Sequence, residues 1–231
     1  MQVCSGRLTE IWLENGQAAG RITSAVAPGP GQYVLAQPSE EGQETLPAAL
    51  FTSGEAAGGF IAAPPLPVNW RPGEELRLRG PAGKGFILPK GVRRVGLLAL
   101  DETPSRLLPL AVQAFKAGAE AALVCDIHTI DLAPHRLPTS LEVDALEALP
   151  AVLAWADFVA IDLPAGRLPQ LRQILGVRAG ERLSCAAQAL VLTPMPCGAT
   201  AECGACAVKG RRSWKLACKD GPVFDLNELE W

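Results

Sequence analysis

Four cysteines lie within 22 residues of one another, and their spacing constrains the chain more than any other feature. They follow the pattern Cys197-x5-Cys203-x2-Cys206-x11-Cys218. Four thiolates from one loop and one following segment can surround a two-iron cluster. A Cys4 zinc site usually has two close cysteine pairs, whereas this chain has one. The spacing therefore favours one [2Fe-2S] cluster bound by these four residues, with zinc, disulfides or unliganded thiols as the alternatives.

The rest of the composition indicates a protein of a reducing compartment. Cys4, Cys125 and Cys185 are scattered, and the first ten residues lack the charged start and apolar run of a signal peptide. The other four cysteines are grouped near the C-terminus, and in a reducing compartment such a group indicates metal or redox chemistry. No segment approaches about 20 uninterrupted apolar residues, and the net charge of −3 includes no basic cluster. We expect a cytoplasmic protein without a membrane span or a nucleic-acid partner.

Changes of pattern divide the chain into residues 1–91, 92–184 and 185–231. In the first region, short apolar runs alternate with Gly/Pro turns, which is typical of a small barrel or sandwich. In the second, continuous apolar runs alternate with segments of helical spacing, which indicates an α/β layer with a parallel sheet. The runs lie at 95–100, 121–124 and 158–161, and the predicted helices at 104–117, 141–153 and 168–175. The third region has one strand, at 189–192, and the cysteines.

Two further features lie near these elements. Small residues fill the loop between Cys197 and Cys206, where they would let backbone N–H groups approach the sulfurs. A short basic run beside them is either a solvated turn or a docking patch for an acidic redox partner; it consists of Lys209, Arg211, Arg212 and Lys215. His128 and His135 lie in a predicted loop, where a metal site or a solvent-facing role are the alternatives.

The residues around the cysteines form two motifs that also occur in a known protein family. Residues 202–208 read ECGACAV, and residues 218–224 read CKDGPVF. This resembles the C-terminal cluster domain of the electron-transfer subunit of NAD-dependent dihydroorotate dehydrogenase, although that family usually has four residues between the first two cysteines and this chain has five. Weaker similarity extends upstream, at 30–34 (PGQYV), 71–76 (RPGEEL) and 80–86 (GPAGKGF).

The resemblance implies a ferredoxin-reductase-like architecture. Its fold would be a β barrel plus an α/β domain, followed by a small [2Fe-2S] domain. Members of that family bind FAD on the barrel and use it with NAD. They pass electrons through the cluster to a flavin in a separate catalytic subunit.

The ligand motifs of that family are altered in this chain. Its Arg-Pro-x-Ser flavin motif should fall near 47–52, which reads PAALFT, so the phosphate-binding arginine is absent. A second flavin segment is replaced by 64–70 (PPLPVNW). The Gly-rich nucleotide loop is replaced by 100–105 (LDETPS), where Asp101 and Glu102 would repel a pyrophosphate. The later Cys-Gly-Pro signature of the family is replaced by 161–164 (IDLP). These departures predict that NAD use is lost and make FAD binding doubtful.

Three hypotheses follow. The first is a non-catalytic electron-transfer subunit that relays single electrons to or from a flavoprotein dehydrogenase of the dihydroorotate dehydrogenase type, and so belongs to pyrimidine biosynthesis. The second is a complete FAD-containing reductase with an atypical flavin site. The third is a structural module built on a Cys4 zinc site.

Overall fold

A closed six-stranded barrel forms the first part of the protein. The computed structural model describes residues 2–39, 46–101, 103–127, 137–178 and 181–231. All neighbouring barrel strands are antiparallel, in the order β1-β2-β5-β4-β3-β6. The strands are β1 (Gln2–Glu14), β2 (Gln17–Ser24), β3 (Tyr33–Pro38), β4 (Ala48–Ala56), β5 (Gly59–Ala62) and β6 (Glu75–Ala82). Closure removes the exposed sheet edges that an open sandwich would keep.

A six-stranded sheet follows the barrel. Its order is β14-β11-β10-β7-β8-β9, with β14 antiparallel to β11 and the other neighbours parallel. The strands are β7 (Arg94–Ala99), β8 (Glu120–Cys125), β9 (Glu142–Ala145), β10 (Phe158–Pro164), β11 (Ala186–Leu192) and β14 (Val223–Asp225). Helices α1 (Leu108–Lys116), α2 (Leu149–Trp155) and α3 (Leu171–Ile174) connect them. Strands β7, β8 and β10 are almost entirely buried, as expected of parallel strands covered on both faces.

The cysteine segment is inserted between the last two strands of this sheet. After β11 the chain forms the cysteine loop, a hairpin of β12 (Ala207–Lys209) and β13 (Trp214–Leu216), and the short helix α4 (Ala217–Asp220). Strand β14 then returns to the sheet edge beside β11. We call residues 193–231 the cluster module. Strand β11 ends just before the module, and β14 lies within it and pairs with β11. The cysteine segment is therefore attached to the sheet on both sides.

One continuous hydrophobic core joins the three parts. It contains Tyr33 and Leu35 of the barrel, Ile161 of the sheet, and Cys206 and Cys218 of the module. A separate core fills the barrel, and another lies between α1 and the sheet. The predicted barrel plus α/β fold is thus confirmed, and its parts share a buried interface.

The sequence prediction was wrong for residues 142–145 and incomplete at the start of the chain. A helix was predicted across 141–153, but Glu142–Ala145 is an edge strand parallel to β8. Polar and apolar residues alternate in this short segment, which fits the period of a strand. Strand β1 was not predicted because few of its side chains are buried, and its apolar signal is weak. Within the residues that the structure describes, no helix has both the length and the hydropathy to cross a membrane.

Candidate cluster site

The structure brings the four predicted cysteines together as two pairs. The thiol of Cys206 donates to that of Cys218 at 3.3 Å, and Cys203 lies close enough to Cys197 to lower the pKa of its thiol. Cys206 and Cys218 are buried, at 1% and 7% relative exposure, whereas Cys203 is exposed. The close sequence pair, Cys203 and Cys206, is therefore split between the two spatial pairs.

The backbone of the loop turns its N–H groups towards the sulfurs. Gly198, Ala199 and Ala201 all adopt left-handed conformations, with φ of 61°, 60° and 65°. Successive backbone N–H groups in such turns form concave sites for anions. The amide of Ala205 donates to the Cys203 sulfur at 3.4 Å. The predicted approach of N–H groups to the sulfurs is thus present.

The two pairs differ electrostatically. Hydrogen bonds, first from the Thr200 hydroxyl and then from Cys203, lower the pKa of Cys197 to about 6. Burial, with the hydrogen bond and charge of Cys206, raises the pKa of Cys218 to about 12. Metal binding needs thiolates. Cys197 is therefore more readily present as the thiolate than Cys218, which would release its proton as the metal enters.

The donor set fits an iron–sulfur cluster in its chemistry. Four soft thiolates arranged as two pairs are suited to two metal ions, with two ligands for each. Among the described residues, no three His, Cys, Asp or Glu side chains converge closely enough to hold a single ion. One zinc ion with all four thiolates around it stays the alternative.

Three segments that carried the sequence resemblance pack together, two from the barrel region and one from the module. The amide of Lys84 donates to the carbonyl of Gly221 at 2.6 Å, and Lys84 forms a parallel bridge with Pro222. A Cβ on Gly83 would lie 2.5 Å from Pro222, and one on Gly31 would lie 2.5 Å from Val223. Segments 30–34, 80–86 and 218–224 therefore form one close-packed contact between barrel and module. The resemblance reflects this interface as well as the cysteines.

Two barrel side chains also bond to the module. The hydroxyl of Tyr33 donates to the carbonyl of Cys218 at 3.1 Å, and the guanidinium of Arg79 donates to the carbonyl of Gly198. Burial, with the nearby thiols of Cys218 and Cys206, raises the pKa of Tyr33 to about 12, so its hydroxyl stays a donor at ordinary pH. Neither residue was singled out from the sequence as a site residue.

The basic run lies on the β12–β13 hairpin, where part of its charge is compensated. Lys209 pairs with Glu230 at 2.8 Å, and Lys215 pairs with Glu228 at 2.9 Å. Arg212 is exposed. The role of this run as a docking patch stays a prediction. His128, His135 and Glu102, which were also considered above, lie outside the described residues.

A family comparison decides what kind of module this is. Residues 193–230 match the iron-sulfur cluster binding domain of dihydroorotate dehydrogenase B. The module is therefore similar to that cluster-binding domain. An iron–sulfur cluster is therefore its cofactor, and the resemblance stated above is confirmed for this part of the chain.

Solved structures identify the fold of the whole chain. The structure of the NADH-dependent reduced ferredoxin-NADP oxidoreductase, described for flavin-based electron bifurcation, has a TM-score of 0.75 at 16% identity, covering 98% of this chain and 90% of that one. A ferredoxin reductase of carbazole 1,9a-dioxygenase has a TM-score of 0.55 at 15% identity, covering 77% and 67%. The FAD/NAD binding domain of nitric oxide dioxygenase from Vibrio cholerae has a TM-score of 0.51 at 16% identity, covering 82% and 98%. The ferredoxin-reductase-like fold is thus confirmed.

The crevice at the carboxyl ends of β7 and β10 contains buried charge. Open α/β sheets usually bind ligands in that crevice. Here the guanidinium of Arg106, 2% exposed, pairs with Asp162 at 2.9 Å and with Asp101. It also donates to the carbonyl of Pro64 in the segment that follows β5, at 2.9 Å. Asp101 and Asp162 lie in the altered nucleotide motifs, and Arg106 directly follows the first of these. Together they form an ion-pair cluster that connects the sheet to the barrel.

The strand expected to carry the flavin motif faces the iron–sulfur module. Ala49 and Phe51 of β4 pack against the core that contains Cys206 and Cys218. Phe51 lies 5.9 Å from the ring of Tyr33. Pro47, just before the strand, would be 3.2 Å from a Cβ on Gly198. The substituted motif is therefore in close contact with the cysteine loop.

Asp162 gives a pH prediction. Its burial raises the pKa to about 6; Arg106 opposes this shift, and Asp101 adds to it. Since the ordinary value is about 4, the folded protein holds a proton between about pH 4 and 6 that the unfolded chain has released. This group's contribution to stability is therefore greatest below about pH 4 and is lost as pH rises to about 6.

The measurement is the urea midpoint from pH 4.5 to 7 for the wild type and Asp162→Asn. Relative to Asp162→Asn, the wild-type midpoint should fall as the pH rises to about 6 and then stay constant. Asp157→Asn is the control, because a hydrogen bond from Arg94 lowers the pKa of Asp157, so this carboxyl titrates below the window and its variant should run parallel to the wild type. Parallel curves for wild type and Asp162→Asn would contradict the prediction.

Proposed function

We propose that this protein is a non-catalytic electron-transfer subunit that carries one [2Fe-2S] cluster. In the proposed site, Cys197 and Cys203 bind one iron, and Cys206 and Cys218 bind the other. The observation that carries the proposal is the pairing of the four thiols inside the segment that matches the cluster-binding family. When bound, such a cluster accepts and donates one electron at a time.

The chain's own residues would hold and tune the cluster. The left-handed loop presents amides to the sulfurs, and such hydrogen bonds stabilise the added negative charge of the reduced state. The buried pair is shielded from water, whereas the exposed Cys203 marks the side on which a partner would approach. The chemistry of this subunit is then limited to positioning and tuning.

The proposed partner is a flavoprotein dehydrogenase catalytic subunit of the dihydroorotate dehydrogenase type. The match of the module to the iron-sulfur cluster binding domain of dihydroorotate dehydrogenase B supports this choice. The buried Arg106 cluster supports a subunit that receives electrons from another protein, because it occupies the crevice where a nicotinamide nucleotide would enter. A cytoplasmic location fits this role and stays a prediction.

Protein purified without oxygen is expected to be coloured and to contain two irons and two sulfides per chain. Cys203→Ala should lose the cluster, with iron falling below about a tenth of the wild-type content, because one iron would have three ligands in place of four. Cys185→Ala, which alters a half-buried thiol outside the module, is the control and should keep its iron. One zinc per chain without colour, or a full cluster in Cys203→Ala, would refute the proposed site.

The partner is tested separately. Dihydroorotate should reduce the cluster only when the catalytic subunit from the same genome is added. Released FAD near one per chain would instead support a complete reductase. Reduction by NADH without any partner would reject the proposed role.

A further inference from the structure

The two strands β3 and β6 reach both cysteine-bearing segments of the module. Arg79 of β6 donates to the carbonyl of Gly198, the residue after Cys197. Tyr33 of β3 donates to the carbonyl of Cys218 at 3.1 Å. The strands are antiparallel neighbours, with Leu35 opposite Arg79. One rigid strand pair therefore contacts the loop that carries three cysteines and the helix that carries the fourth.

Both contacts are held firmly on the barrel side. The Tyr33 side chain is fully buried and packs beside Phe51. A Cβ on Gly198 would lie 2.9 Å from the Arg79 guanidinium and 3.2 Å from Pro47, so the loop backbone lies directly against the barrel. Side chains that are locked by packing can fix the geometry of a site that they do not ligate.

The two donors differ in charge. The guanidinium of Arg79 is positive at every ordinary pH, whereas the Tyr33 hydroxyl is neutral. A cluster with four thiolate ligands becomes more negative when it gains an electron. A fixed positive charge beside its loop therefore stabilises the reduced state more than the oxidised one. Arg79 can affect both position and potential, and Tyr33 chiefly position.

We propose that Arg79 and Tyr33 are positioning residues for the cluster, and that Arg79 also raises its reduction potential. This inference rests on the proposed function, since it requires a cluster in the module. On this inference, barrel residues that do not bind the cluster fix the position of the segments that do. The altered flavin motif at 47–52 belongs to the same barrel.

The test uses the full chain with four substitutions. Arg79→Gln removes the charge, Arg79→Lys keeps it with different hydrogen bonding, and Tyr33→Phe removes only the hydroxyl. Arg77→Gln is the matched control, because Arg77 is exposed, lies on the same strand face, and makes no hydrogen bond to the cysteine loop in the structure. The readouts are the midpoint potential from an anaerobic redox titration and the rate of iron release to a chelator.

Arg79→Gln is expected to lower the midpoint potential and to release iron about tenfold faster, in keeping with the loss of a charge-assisted hydrogen bond. Arg79→Lys should restore most of the potential but less of the iron retention. Tyr33→Phe should release iron about threefold faster with a smaller change in potential. Arg77→Gln should match the wild type in both measurements.

The outcomes separate this inference from the proposed function. A wild type without iron and sulfide would refute the proposed function. A wild type with its cluster, together with an Arg79→Gln potential equal to that of Arg77→Gln, would overturn the assignment of Arg79 alone. If Arg79→Gln does not fold, Arg79→Lys and Tyr33→Phe still decide, since wild-type iron release in both would reject the positioning role.

Discussion

Replacing Arg106 with methionine is expected to lower the free energy of unfolding by about 3–5 kcal/mol. The substitution keeps much of the apolar stem but removes the guanidinium that pairs with Asp162 and Asp101. Asp162 is completely buried, so its carboxylate would be left without a counter-charge in a region that water does not reach. The carbonyl of Pro64 would lose its donor as well. Chemical denaturation followed by circular dichroism measures the change.

Two companion variants make this test specific. Arg94→Met removes an exposed ion pair with Asp157, and such a pair contributes only about 0–1 kcal/mol. Arg106→Met combined with Asp162→Leu should recover much of the lost stability, because removing both buried charges is often neutral. A loss below about 1 kcal/mol in Arg106→Met, similar to that of the surface control, would show that the buried cluster does not hold sheet and barrel together.

Replacing Gly83 with alanine is expected to cost about 2–4 kcal/mol and to weaken the attachment of the cluster module. Gly83 has φ of +73°, a conformation that costs an alanine about 1–2 kcal/mol. Its new Cβ would lie 2.5 Å from Pro222 and 2.8 Å from the Tyr33 ring. One of these groups must move, so the bond from Tyr33 to Cys218 would be disturbed as well. Thermal unfolding and iron release to a chelator are the measurements.

Gly58 provides the matched control for this substitution. It has φ of +71°, and a Cβ there would meet nothing within 4 Å. Gly58→Ala therefore carries the conformational cost without the collision and should leave iron release unchanged. Equal stability losses in the two variants would contradict the close contact between the barrel loop and Pro222.

Local sequence patterns predicted the features of this protein that depend on neighbours in the chain. The cysteine spacing defined the cluster loop, and the continuous apolar runs defined the buried parallel strands β7, β8 and β10. The small residues of the loop predicted the N–H approach to the sulfurs. The edge strand β9 was taken for helix because four residues carry too little periodic signal beside a longer helical pattern.

Contacts between distant residues could not be predicted in this way. Arg106 is 56 residues from Asp162, and Arg79 is 119 residues from Gly198. These pairs form only because barrel closure and sheet order bring the segments together. The acidic Asp101 was expected to repel a phosphate, whereas the structure shows that it is paired with Arg106.

The attachment of the cluster module to barrel and sheet has a consequence for electron tunnelling. Tunnelling rates fall steeply with the distance between donor and acceptor. The module is held by β14 in the sheet, by Lys84 at Gly221, and by Tyr33 at Cys218. With so many attachments, the depth of the cysteine site below the surface is set by the fold. The distance that an electron must cross would then depend mainly on how closely a partner fits the surface around Cys203.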